Sequence, residues 1–262
     1  MTKQIFLDQL DAHSLRERLA NEKLTLIIPV GSLEQHGPHL PLGTDAILST
    51  KIAEGVAREL GALVAPAFAY GYKSQQKSGG GNHLIGTSSL SAATVIAQTK
   101  DLVTSYLKQG FEHIIFLNGH YENYQFLYEG IDLAMESLSR EQLGDRFGLL
   151  LSYWDYVGEE TLAQVYPQGF PGWDIEHGGV LETALMLHLS PNSVDMSRAP
   201  VGPAAVLPKF DRLPVVAART PRSGCLSAPD GASAEKGKLL YDDVVSAISS
   251  DLAFELHEAV AL

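Results

Sequence analysis

The sequence predicts an α/β fold with a layered, mostly parallel central sheet. Short apolar runs rich in Ile, Leu and Val alternate along the chain with longer amphipathic stretches, which is typical of β-α units. The apolar runs span residues 24–30, 62–67, 113–117 and 149–154, and the amphipathic stretches lie near 46–60, 91–109, 122–138 and 179–189. Runs of this composition are expected to be strands buried on both faces. The 262 residues, 45% of them hydrophobic, can form one sizeable core, so we expect a single domain over residues 1–262.

Two segments fall outside this alternation. Residues 210–230 are rich in Pro, Arg and Gly and predict an extended excursion before a final helix that begins near Ala234. Residues 73–82 contain no apolar side chain but include three consecutive glycines, and they match neither the Walker pattern nor the dinucleotide-binding pattern. This segment is either a disordered surface loop or a flexible arm that brings Ser78 into the pocket of its own or a neighbouring subunit.

Two loops that follow apolar runs contain side chains able to bind metal ions. The loop after the first run contains Glu34, His36 and Asp45, and the loop after the third run contains His120 and Glu122. In an extended segment, residues two apart point to the same side, so each Glu and His pair could face one cavity. Open α/β sheets bind ligands beyond the carboxyl ends of their strands, where both loops are expected. The pattern therefore predicts one shared metal centre.

Each of these residues also has a purely structural explanation. Asp45 precedes an amphipathic stretch and could simply cap that helix. Glu122 falls in the first turn of a predicted helix, where a carboxylate interacts favourably with the helix dipole. His120 alone could be a satisfied interior histidine. The joint occurrence of five ligand-type residues after two strand ends favours metal binding.

The residue types in these loops suit metal-assisted hydrolysis of an amide. A pair of divalent ions can lower the pKa of water and stabilise a developing oxyanion. The leaving nitrogen needs a proton, and His177 is the best candidate because an imidazole titrates near neutrality and Glu176 or Asp174 could raise its pKa. Glu122 is the second candidate for this proton transfer. The alternative for His177 is a helix-entry residue before two glycines.

Trp154 and Trp173 flank a segment that is rich in Tyr, Phe and Pro. A functional interpretation is a lid whose indole rings hold a small planar, cation-like ring and exclude water. Alternatively, Trp154 ends a buried strand and fills core space, which is the commoner role of a single tryptophan. Trp173 lies beside Asp174 in the sequence, which favours the lid interpretation for Trp173.

Composition restricts the partners and the location of the protein. A formal charge of −12 argues against nucleic acid and anionic membranes, since both favour basic surfaces. Cys225 is the sole cysteine of the sequence, which excludes an internal disulfide and a thiolate metal cluster. The N-terminal residues include an acid where a signal peptide needs an apolar stretch, and no apolar run approaches membrane-spanning length. We therefore expect a soluble cytoplasmic protein that acts on a small molecule.

Four motifs together resemble those of the creatininase (creatinine amidohydrolase) family. They are Glu34-Gln-His-Gly, Thr44-Asp45, Asn118-Gly-His-Tyr-Glu-Asn and Trp173-Asp-Ile-Glu-His-Gly-Gly-Val-Leu-Glu-Thr. Residues 70–83 are similar to the creatinine-hydrolysing members of the family rather than to their relatives, and the similarity extends from the first strand to about residue 190. The resemblance implies a three-layer α/β/α fold, a homohexamer, and a binuclear metallohydrolase that opens the lactam ring of creatinine to give creatine.

The resemblance also implies roles for individual residues. Glu34, Asp45 and His120 match the ligands of one metal ion, and His36, Asp45 and Glu122 match those of the other, so that Asp45 bridges the two ions. The ions would be Zn, Mn or one of each, because oxygen plus imidazole ligation suits either metal. The positions that match substrate contacts are Ser78, Tyr121, Trp154, Trp173, Asp174 and His177.

Two alternatives to this function follow from the same residues. The loop formed by residues 37–44 has the general form of the family, so the substrate could be another formamide, lactam or small peptide bond. A protein of a different class would use the ions only to stabilise an interaction surface. Structural sites of that kind leave no open coordination position, which distinguishes them from catalytic sites.

Overall fold

Four parallel strands form the central sheet of the protein. The structure is a computed structural model that describes residues 3–258, and residues 1–2 and 259–262 of the predicted domain lie outside this range. The strands are β1 (Thr25–Val30), β2 (Leu63–Val64), β3 (His113–Asn118) and β4 (Phe147–Ser152), in the spatial order β2-β1-β3-β4. All three strand pairs of this sheet are parallel, which confirms the predicted mostly parallel sheet.

Helices cover both faces of the sheet. Within residues 3–258 the α-helices are α1 (Ala12–Asn21), α2 (Thr44–Leu60), α3 (Ala92–Gln109), α4 (Tyr124–Glu136), α5 (Arg140–Leu143), α6 (Glu159–Val165), α7 (Val180–Leu189) and α8 (Ala234–Glu258). One outer layer contains α2, α7 and α8, and the opposite layer contains α1, α3 and α4. None of the helices in this range has the length and apolar character needed to cross a membrane. The predicted three-layer α/β/α architecture is confirmed.

Alternate residues of each strand contribute to the two halves of the core. In β1, Ile27 packs with α2, α7 and α8 on one face, whereas Leu26 and Ile28 pack with α3 and α4 on the other. In β3, Ile115 and Phe116 divide between the two faces in the same way. This division follows from the two-residue side-chain repeat of a strand. Burial on both faces explains why the strand sequences are continuously apolar.

The second strand is shorter than predicted. Instead of spanning residues 62–67, it pairs with β1 over Leu63–Val64. The backbone N–H of Ala65 donates one more hydrogen bond to the carbonyl of Ile27, at 2.9 Å, but Pro66 has no N–H and cannot continue the ladder. The other predicted strands and helices agree with the structure to within two residues at each end, and residues 210–230 contain no strand or α-helix, as expected for the excursion before α8.

The fourth strand ends before Trp154. The prediction extended this strand over residues 149–154, but β4 stops at Ser152, level with Asn118 at the end of its partner β3. Because β3 offers no further hydrogen bonds beyond this point, the chain turns into a 3₁₀ helix over Tyr153–Tyr156. The placement of Trp154 at the end of a buried strand is therefore wrong.

The strand order creates a switch point in the topology between β1 and β3. The chain leaves β1 through α2 to reach β2 on one side, and it returns through α3 to β3 on the other side of β1. Since α2 and α3 lie on opposite faces of the sheet, a crevice is expected outside the carboxyl ends of β1 and β3. Val30 and Asn118, the last residues of these strands, are paired in register. The loops that follow them therefore start side by side.

Helices α7 and α8 pack closely at Gly237. A Cβ atom at this position would overlap the carbonyl group of Ala184 and lie 2.8 Å from the Cβ atom of His188. Alanine normally stabilises a helix interior by about 1 kcal/mol relative to glycine, but overpacking a tight contact costs about 1–3 kcal/mol. We predict that Gly237→Ala lowers the free energy of unfolding by about 2 kcal/mol, as measured by urea denaturation.

The matched control for this prediction is Gly158→Ala. A Cβ atom at Gly158 would meet only the carboxylate of Asp243, at 3.4 Å or more, which is an ordinary contact. Gly158 is the N-cap of α6, where alanine is less favourable than glycine, so this variant is expected to lower the free energy of unfolding by no more than about 1 kcal/mol. Equal effects of the two substitutions would contradict the close packing of α7 on α8.

Candidate metal centre

The loop that follows β1 holds Glu34 and His36 at the carboxyl end of the sheet. The backbone N–H of Gly31 donates to the carbonyl of Phe68 at 3.0 Å, and the N–H of Glu34 donates to the carbonyl of Leu42 at 3.0 Å. These bonds fix the start of the loop and fold its far end back upon it. The side chains of Glu34 and His36 are both buried as a result.

The loop that follows β3 is held by two buried asparagines. Asn118 Nδ2 donates to the carbonyl of His120 at 2.8 Å, and its Oδ1 accepts from the N–H of His120 at 3.2 Å. Asn123 Nδ2 donates to the carbonyl of Gly31 at 3.0 Å, and its Oδ1 accepts from the N–H of Tyr72 at 2.8 Å. These bonds place the buried His120 beside the loop that follows β1.

Glu34, Asp45 and His120 form the first group of possible metal ligands. Nδ1 of His120 lies 3.0 Å from Oε1 of Glu34 and 3.2 Å from Oδ2 of Asp45. The three side chains come from the two loops and from the first turn of α2, and all are buried. The structure therefore brings the two predicted loops together at one point.

Asp45 also belongs to a second group, with His36 and Glu182. Oδ1 of Asp45 lies 2.7 Å from Nε2 of His36, and Oε1 of Glu182 lies 3.6 Å from the same nitrogen. Helix α2 begins at Thr44 and has no side-chain cap, so the alternative that Asp45 merely caps this helix is wrong. The two oxygens of the Asp45 carboxylate face the two groups.

The buried polar atoms of these groups fit divalent cations. His36 Nε2 and Asp45 Oδ2 are buried close to other polar atoms, yet neither has a hydrogen-bond partner of suitable geometry among the described residues. Buried polar atoms are normally hydrogen-bonded. Atoms that share a metal ion are an exception, because they point at the ion and form no hydrogen bonds with one another. Carboxylate oxygens and imidazole nitrogens suit both zinc and manganese. These residues can therefore hold metal ions.

The carboxylates and imidazoles perturb one another's pKa values. Burial opposes protonation of His36, but the nearby carboxylates, above all Asp45, outweigh burial and raise the pKa of this imidazole to about 10. Burial also opposes protonation of His120, but the carboxylates near it, above all Glu34, raise its pKa well above the usual value. Burial favours the neutral forms of Glu34 and Asp45, yet the two imidazoles hold both carboxyl pKa values below the usual range. Protons and metal cations therefore compete for the same nitrogen atoms.

Two further contacts orient the possible ligands. The Nε2–H of His120 donates to the carbonyl of Tyr72 at 2.8 Å, which leaves Nδ1 as the nitrogen that faces Glu34 and Asp45. The hydroxyl of Ser74 donates a short hydrogen bond to Oε2 of Glu34. Partners of this kind fix the tautomer and the rotation of metal ligands. The sequence did not predict either contact, because a backbone carbonyl and a loop serine have no recognisable pattern.

Glu122 lies beside His120 but outside the three groups of possible ligands. Its Oε2 is 3.3 Å from Nε2 of His120, the ring nitrogen that also faces Tyr72, and its Oε1 accepts a hydrogen bond from the hydroxyl of Ser78. Glu122 belongs to a short 3₁₀ helix, Tyr121–Asn123, that precedes α4, so its predicted place in the first turn of α4 is wrong. Its role as a ligand of the second ion therefore rests on the family resemblance.

Residues 73–82 contact the centre of their own chain. The hydroxyl of Ser78 reaches Glu122, and Gln76 is buried with its Oε1 accepting from the N–H of Val216 at 3.0 Å. A disordered surface loop would make no such contacts. Of the alternatives considered for this segment, the contacts agree with an arm that brings Ser78 into the pocket of its own subunit.

His177 lies against the possible ligands. Its ring centroid is 4.2 Å from that of His36, and it forms a third possible ligand group with Glu34 and His36. Nε2 of His177 is 2.9 Å from the carbonyl oxygen of Gln35, and because a carbonyl can only accept, this nitrogen bears the proton. Nδ1 is therefore the nitrogen that is available for proton transfer.

Glu176 supports the start of α7. Its Oε1 accepts from the backbone N–H of Leu181 at 2.8 Å, and the hydroxyl of Tyr166 is a further hydrogen-bond partner. Burial raises the pKa of the Glu176 carboxyl to about 7, and the neighbouring Glu182 adds to the rise. The Glu176 carboxylate is therefore directed at α7. The other carboxylate predicted as a partner of His177 is that of Asp174, which is exposed.

The aromatic residues predicted to contact substrate occupy different environments. Trp173 is 43% exposed and packs edge-on against Phe170, with ring centroids 4.7 Å apart. Tyr121 is 74% exposed. Trp154 packs edge-on against the buried Tyr153 and borders the core formed with α2, α7 and α8. The packing proposed as the alternative for Trp154 is thus present, whereas Trp173 is not a core residue.

Glu182 and Tyr153 are further residues near the centre that the sequence patterns did not predict. Glu182 is a buried acid in the first turn of the largely apolar α7, and its Oε2 accepts from the N–H of Gly178 at 2.6 Å. A single acid in an apolar helix was the available signal, because burial of an unpaired carboxylate is unfavourable. Tyr153 follows β4, where burial, and then Glu182 and Asp45, raise the pKa of its hydroxyl well above the usual value.

Comparison with known sequences identifies related proteins. The sequence model of the creatininase family, described as creatinine amidohydrolase, matches residues 8–252. The creatinine amidohydrolase of Pseudomonas putida is 45% identical over 256 residues, which cover 97% of this chain and 98% of the relative. A mycofactocin precursor peptide peptidase of Mycobacterium tuberculosis is 31% identical over 245 residues, which cover 87% of this chain and 84% of the relative.

Solved structures agree with these sequence matches. A manganese form of creatininase aligns with a TM-score of 0.93 at 45% identity, covering 97% of this chain and 99% of that one. A mutant creatininase complexed with creatine aligns with a TM-score of 0.92 at 44% identity, with the same coverage. The chain belongs to the creatininase family of hydrolases, and its structure contains residue groups able to hold metal ions.

Loading of this centre with zinc is predicted to release protons. Metal-free protein is expected to hold protons on His36 and His120 near neutral pH, because both pKa values are raised, and an ion binds only the neutral imidazole. About two protons should therefore be released per chain near neutrality, and fewer as the pH rises toward the pKa of His36 at about 10. The affinity for zinc should rise over the same interval.

Isothermal titration calorimetry in buffers of different ionisation enthalpy measures the number of protons released. Full loading with no proton release at neutral pH would show that the two imidazoles are neutral in the metal-free protein, contrary to this description of the centre.

Proposed function

We propose that this protein is a metal-dependent cyclic amidohydrolase that interconverts creatinine and creatine by opening and closing the lactam ring. The observation that carries the proposal is the pair of buried ligand groups that share Asp45, with His177 beside them. The chain is 45% identical to a creatinine amidohydrolase over 97% of its length, and a structural relative holds creatine. The substrate class follows from this similarity.

Two divalent ions, zinc, manganese or one of each, are proposed to bind on either side of the Asp45 carboxylate. Glu34 and His120 would complete the first position, and His36 with Glu122 the second, as in the family. When bound, the ions would lower the pKa of water and polarise the amide carbonyl. Support for the first position comes from the distances of 3.0 and 3.2 Å that separate His120 Nδ1 from the two carboxylates.

His177 is proposed to transfer the proton from the attacking water to the leaving nitrogen. Its Nε2–H is anchored on the carbonyl of Gln35, and its ring lies against His36, so Nδ1 keeps a fixed position beside the centre. A positioned imidazole is an effective general acid and base because one ring nitrogen can accept a proton while the other donates a hydrogen bond. Glu122, which accepts a hydrogen bond from Ser78, is the second group able to hold this proton.

The substrate is proposed to lie between the ligand groups and an aromatic wall. Trp173 begins a short 3₁₀ helix directly after Gly172, whose φ of 111° strongly favours glycine. An exposed indole on such a turn, beside the exposed Asp174, suits a planar ring with cationic character. The other proposed substrate contacts are Ser78, Tyr121, Trp154 and His177.

Assembly and location are further proposals that rest on the family. We propose a homohexamer in the cytoplasm that has neither nucleic acid nor membrane as a partner. The charge of −12 supports the exclusion of both polyanionic partners. Exposed apolar residues, which often mark interfaces between subunits, support association: Ile85, Val201, Val206, Phe210 and Leu213.

A small peptide bond is the second candidate substrate. A mycofactocin precursor peptide peptidase is 31% identical to this chain over 87% of its length, so the same fold accommodates a relative named for cleavage of a peptide. The loop at residues 37–44 resembles the general form of the family, which supports this candidate.

Incubation of metal-loaded protein with creatinine, followed by proton NMR, tests the proposed function. Creatine should accumulate, the reverse reaction should occur from creatine, and chelation followed by readdition of zinc or manganese should abolish and restore turnover. Full turnover by protein shown to be metal-free by elemental analysis would rule out the metal-dependent mechanism. Cleavage of a small peptide without reaction of creatinine would select the second candidate.

His177→Ala is predicted to reduce kcat by about 100-fold or more without loss of metal, because a positioned general acid and base is removed. The matched control is His113→Gln, since His113 lies half-buried at the start of β3, away from the ligand groups, and this variant should keep its kcat. An unchanged kcat in His177→Ala would assign the proton transfer to Glu122 or to water. Loss of metal would instead make His177 a ligand.

Trp173→Ala is predicted to lower kcat/KM strongly, because the indole is proposed to contact the substrate in the closed complex. The metal content and the melting temperature should stay unchanged, because the indole is 43% exposed and is not a metal ligand. Trp173→Phe should recover part of the activity. Trp154→Ala is the comparison, since this indole borders the core and its removal should lower the melting temperature. An unstable but fully active Trp173→Ala protein would contradict the lid.

A further inference from the structure

We propose that Leu226 is a positioning residue for the reaction, because it holds His177 and Ser78 at a fixed separation beside the ligand groups. The proposal rests on the function stated above and assigns a role to the extended segment before α8. Leu226 is 3% exposed, yet it lies outside both halves of the core that the described residues form. Its burial therefore serves the surroundings of the site rather than the packing of helices on the sheet.

The backbone of Leu226 holds that of His177. The N–H of Leu226 donates to the carbonyl of His177 at 2.9 Å, and the carbonyl of Leu226 accepts from the N–H of Ala205 at 2.7 Å. Two glycines follow His177, and the first of them, Gly178, has a φ of 66°. Because glycine restricts the backbone less than any other residue, the position of His177 depends on contacts with neighbouring segments. Leu226 provides one of these contacts.

The same segment also supports the ring of His177. Nε2 of this ring donates to the carbonyl of Gln35 at 2.9 Å. Gly224, two residues before Leu226, packs against Gln35. A Cβ atom at Gly224 would overlap the Cβ atom of Gln35 and lie 2.9 Å from its carbonyl oxygen. The chain from Gly224 to Leu226 therefore contacts both the backbone of His177 and the residue whose carbonyl orients its ring.

The side chain of Leu226 packs on the arm that carries Ser78. A Cβ atom at Gly79 would overlap Cδ2 of Leu226 and lie 3.0 Å from its Cδ1. Gly79 directly follows Ser78, whose hydroxyl donates to the carboxylate of Glu122. The methyl groups of Leu226 therefore set how closely the arm approaches the segment that holds His177.

His177 and Glu122 are the two groups proposed to hold the proton, and they come from different loops. Within residues 3–258, the ring of His177 is hydrogen-bonded to Gln35 and to neither Glu122 nor Ser78. A displacement of about 1 Å in a reacting group can lower a rate by roughly 100-fold. The separation of these groups must therefore be fixed by residues that contact both elements, and Leu226 is such a residue.

The arm keeps other attachments when the Leu226 side chain is shortened. Oε1 of Gln76 accepts from the N–H of Val216 at 3.0 Å, and the N–H of Lys77 donates to Asp211 at 2.8 Å. Truncation of Leu226 is therefore expected to shift the arm without detaching it from the protein.

Leu226→Ala tests the proposal through steady-state kinetics of the metal-loaded protein with creatinine. We expect kcat to fall by about 10-fold or more, because the two groups that hold the proton are no longer kept at a fixed separation. KM should change much less than kcat, since the lost contact acts on proton transfer rather than on substrate binding. Metal content should equal that of the wild-type protein. Leu226→Met, which nearly conserves the side-chain volume, should restore most of kcat.

The matched control is Leu107→Ala. Leu107 is 4% exposed, but it lies near the end of α3, close to the start of β3 and away from the carboxyl ends of the strands. Both alanine variants should lower the melting temperature, because each removes a buried leucine side chain. Only Leu226→Ala should lower kcat per folded molecule. If Leu226→Ala does not fold, Leu226→Val replaces it, with the same direction of change expected.

Double variants separate positioning from simple loss of packing. In a Ser78→Ala or a His177→Ala background, Leu226→Ala should lower kcat by less than about 2-fold, since one of the groups that it positions is already absent. The full effect in both backgrounds would overturn the proposal, because Leu226 would then only fill space. The full effect in one background alone would also overturn it, because Leu226 would then position a single group.

The remaining outcomes distinguish this role from the proposed function. An active wild-type enzyme whose kcat is unchanged by Leu226→Ala would overturn the positioning role alone. Wild-type protein that reacts with neither creatinine nor a small peptide would contradict the proposed function, and the role of Leu226 with it. If the protein cleaves a small peptide instead of creatinine, the same comparison of kcat values decides the proposal with that peptide.

Discussion

Carboxylates are buried together at the carboxyl end of a parallel sheet, and the rest of the centre depends on how their charge is compensated. Glu34, Asp45 and Glu182 are at most 8% exposed, and the described lysines and arginines form no ion pair with them. His36 and His120 offset this charge by holding protons, which is why their pKa values are raised. Buried carboxylates are normally paired or coordinate metals, so the same residues that perturb one another's pKa values also fit a metal centre.

The sheet and two glycines determine where this charge is placed. The ends of β1 and β3 are paired in register, so the two ligand loops begin at a fixed separation. A Cβ atom at Gly119 would lie 2.8 Å from the carbonyl oxygen of Asp45, and one at Gly31 would lie 2.7 Å from the Cα atom of Ala46. Because both positions are glycine, the first turn of α2 approaches both loops closely. Asp45 is thereby set between the two imidazoles and can serve both ligand groups.

Sequence patterns predicted the parts of this arrangement that depend on local order. The apolar runs predicted the strands. The pairs of a carboxylate and an imidazole two residues apart predicted the possible ligands in the loops after β1 and β3. Glu182 and Ser74 could not be predicted in the same way, because the folded chain alone brings them to residues far away in the sequence. The end of β4 before Trp154 depends on the end of its neighbour β3, which is also a tertiary constraint.

Residues at the ends of β1 and β3 are proposed to hold two ions with Asp45 between them. Anomalous X-ray scattering at the zinc edge, from crystals of the zinc-loaded protein, locates such ions. We expect two peaks on either side of the Asp45 carboxylate, one about 2.0–2.2 Å from ligand atoms of Glu34 and His120 and the other equally close to Nε2 of His36. A single peak, or no peak beside Asp45, would contradict the proposal.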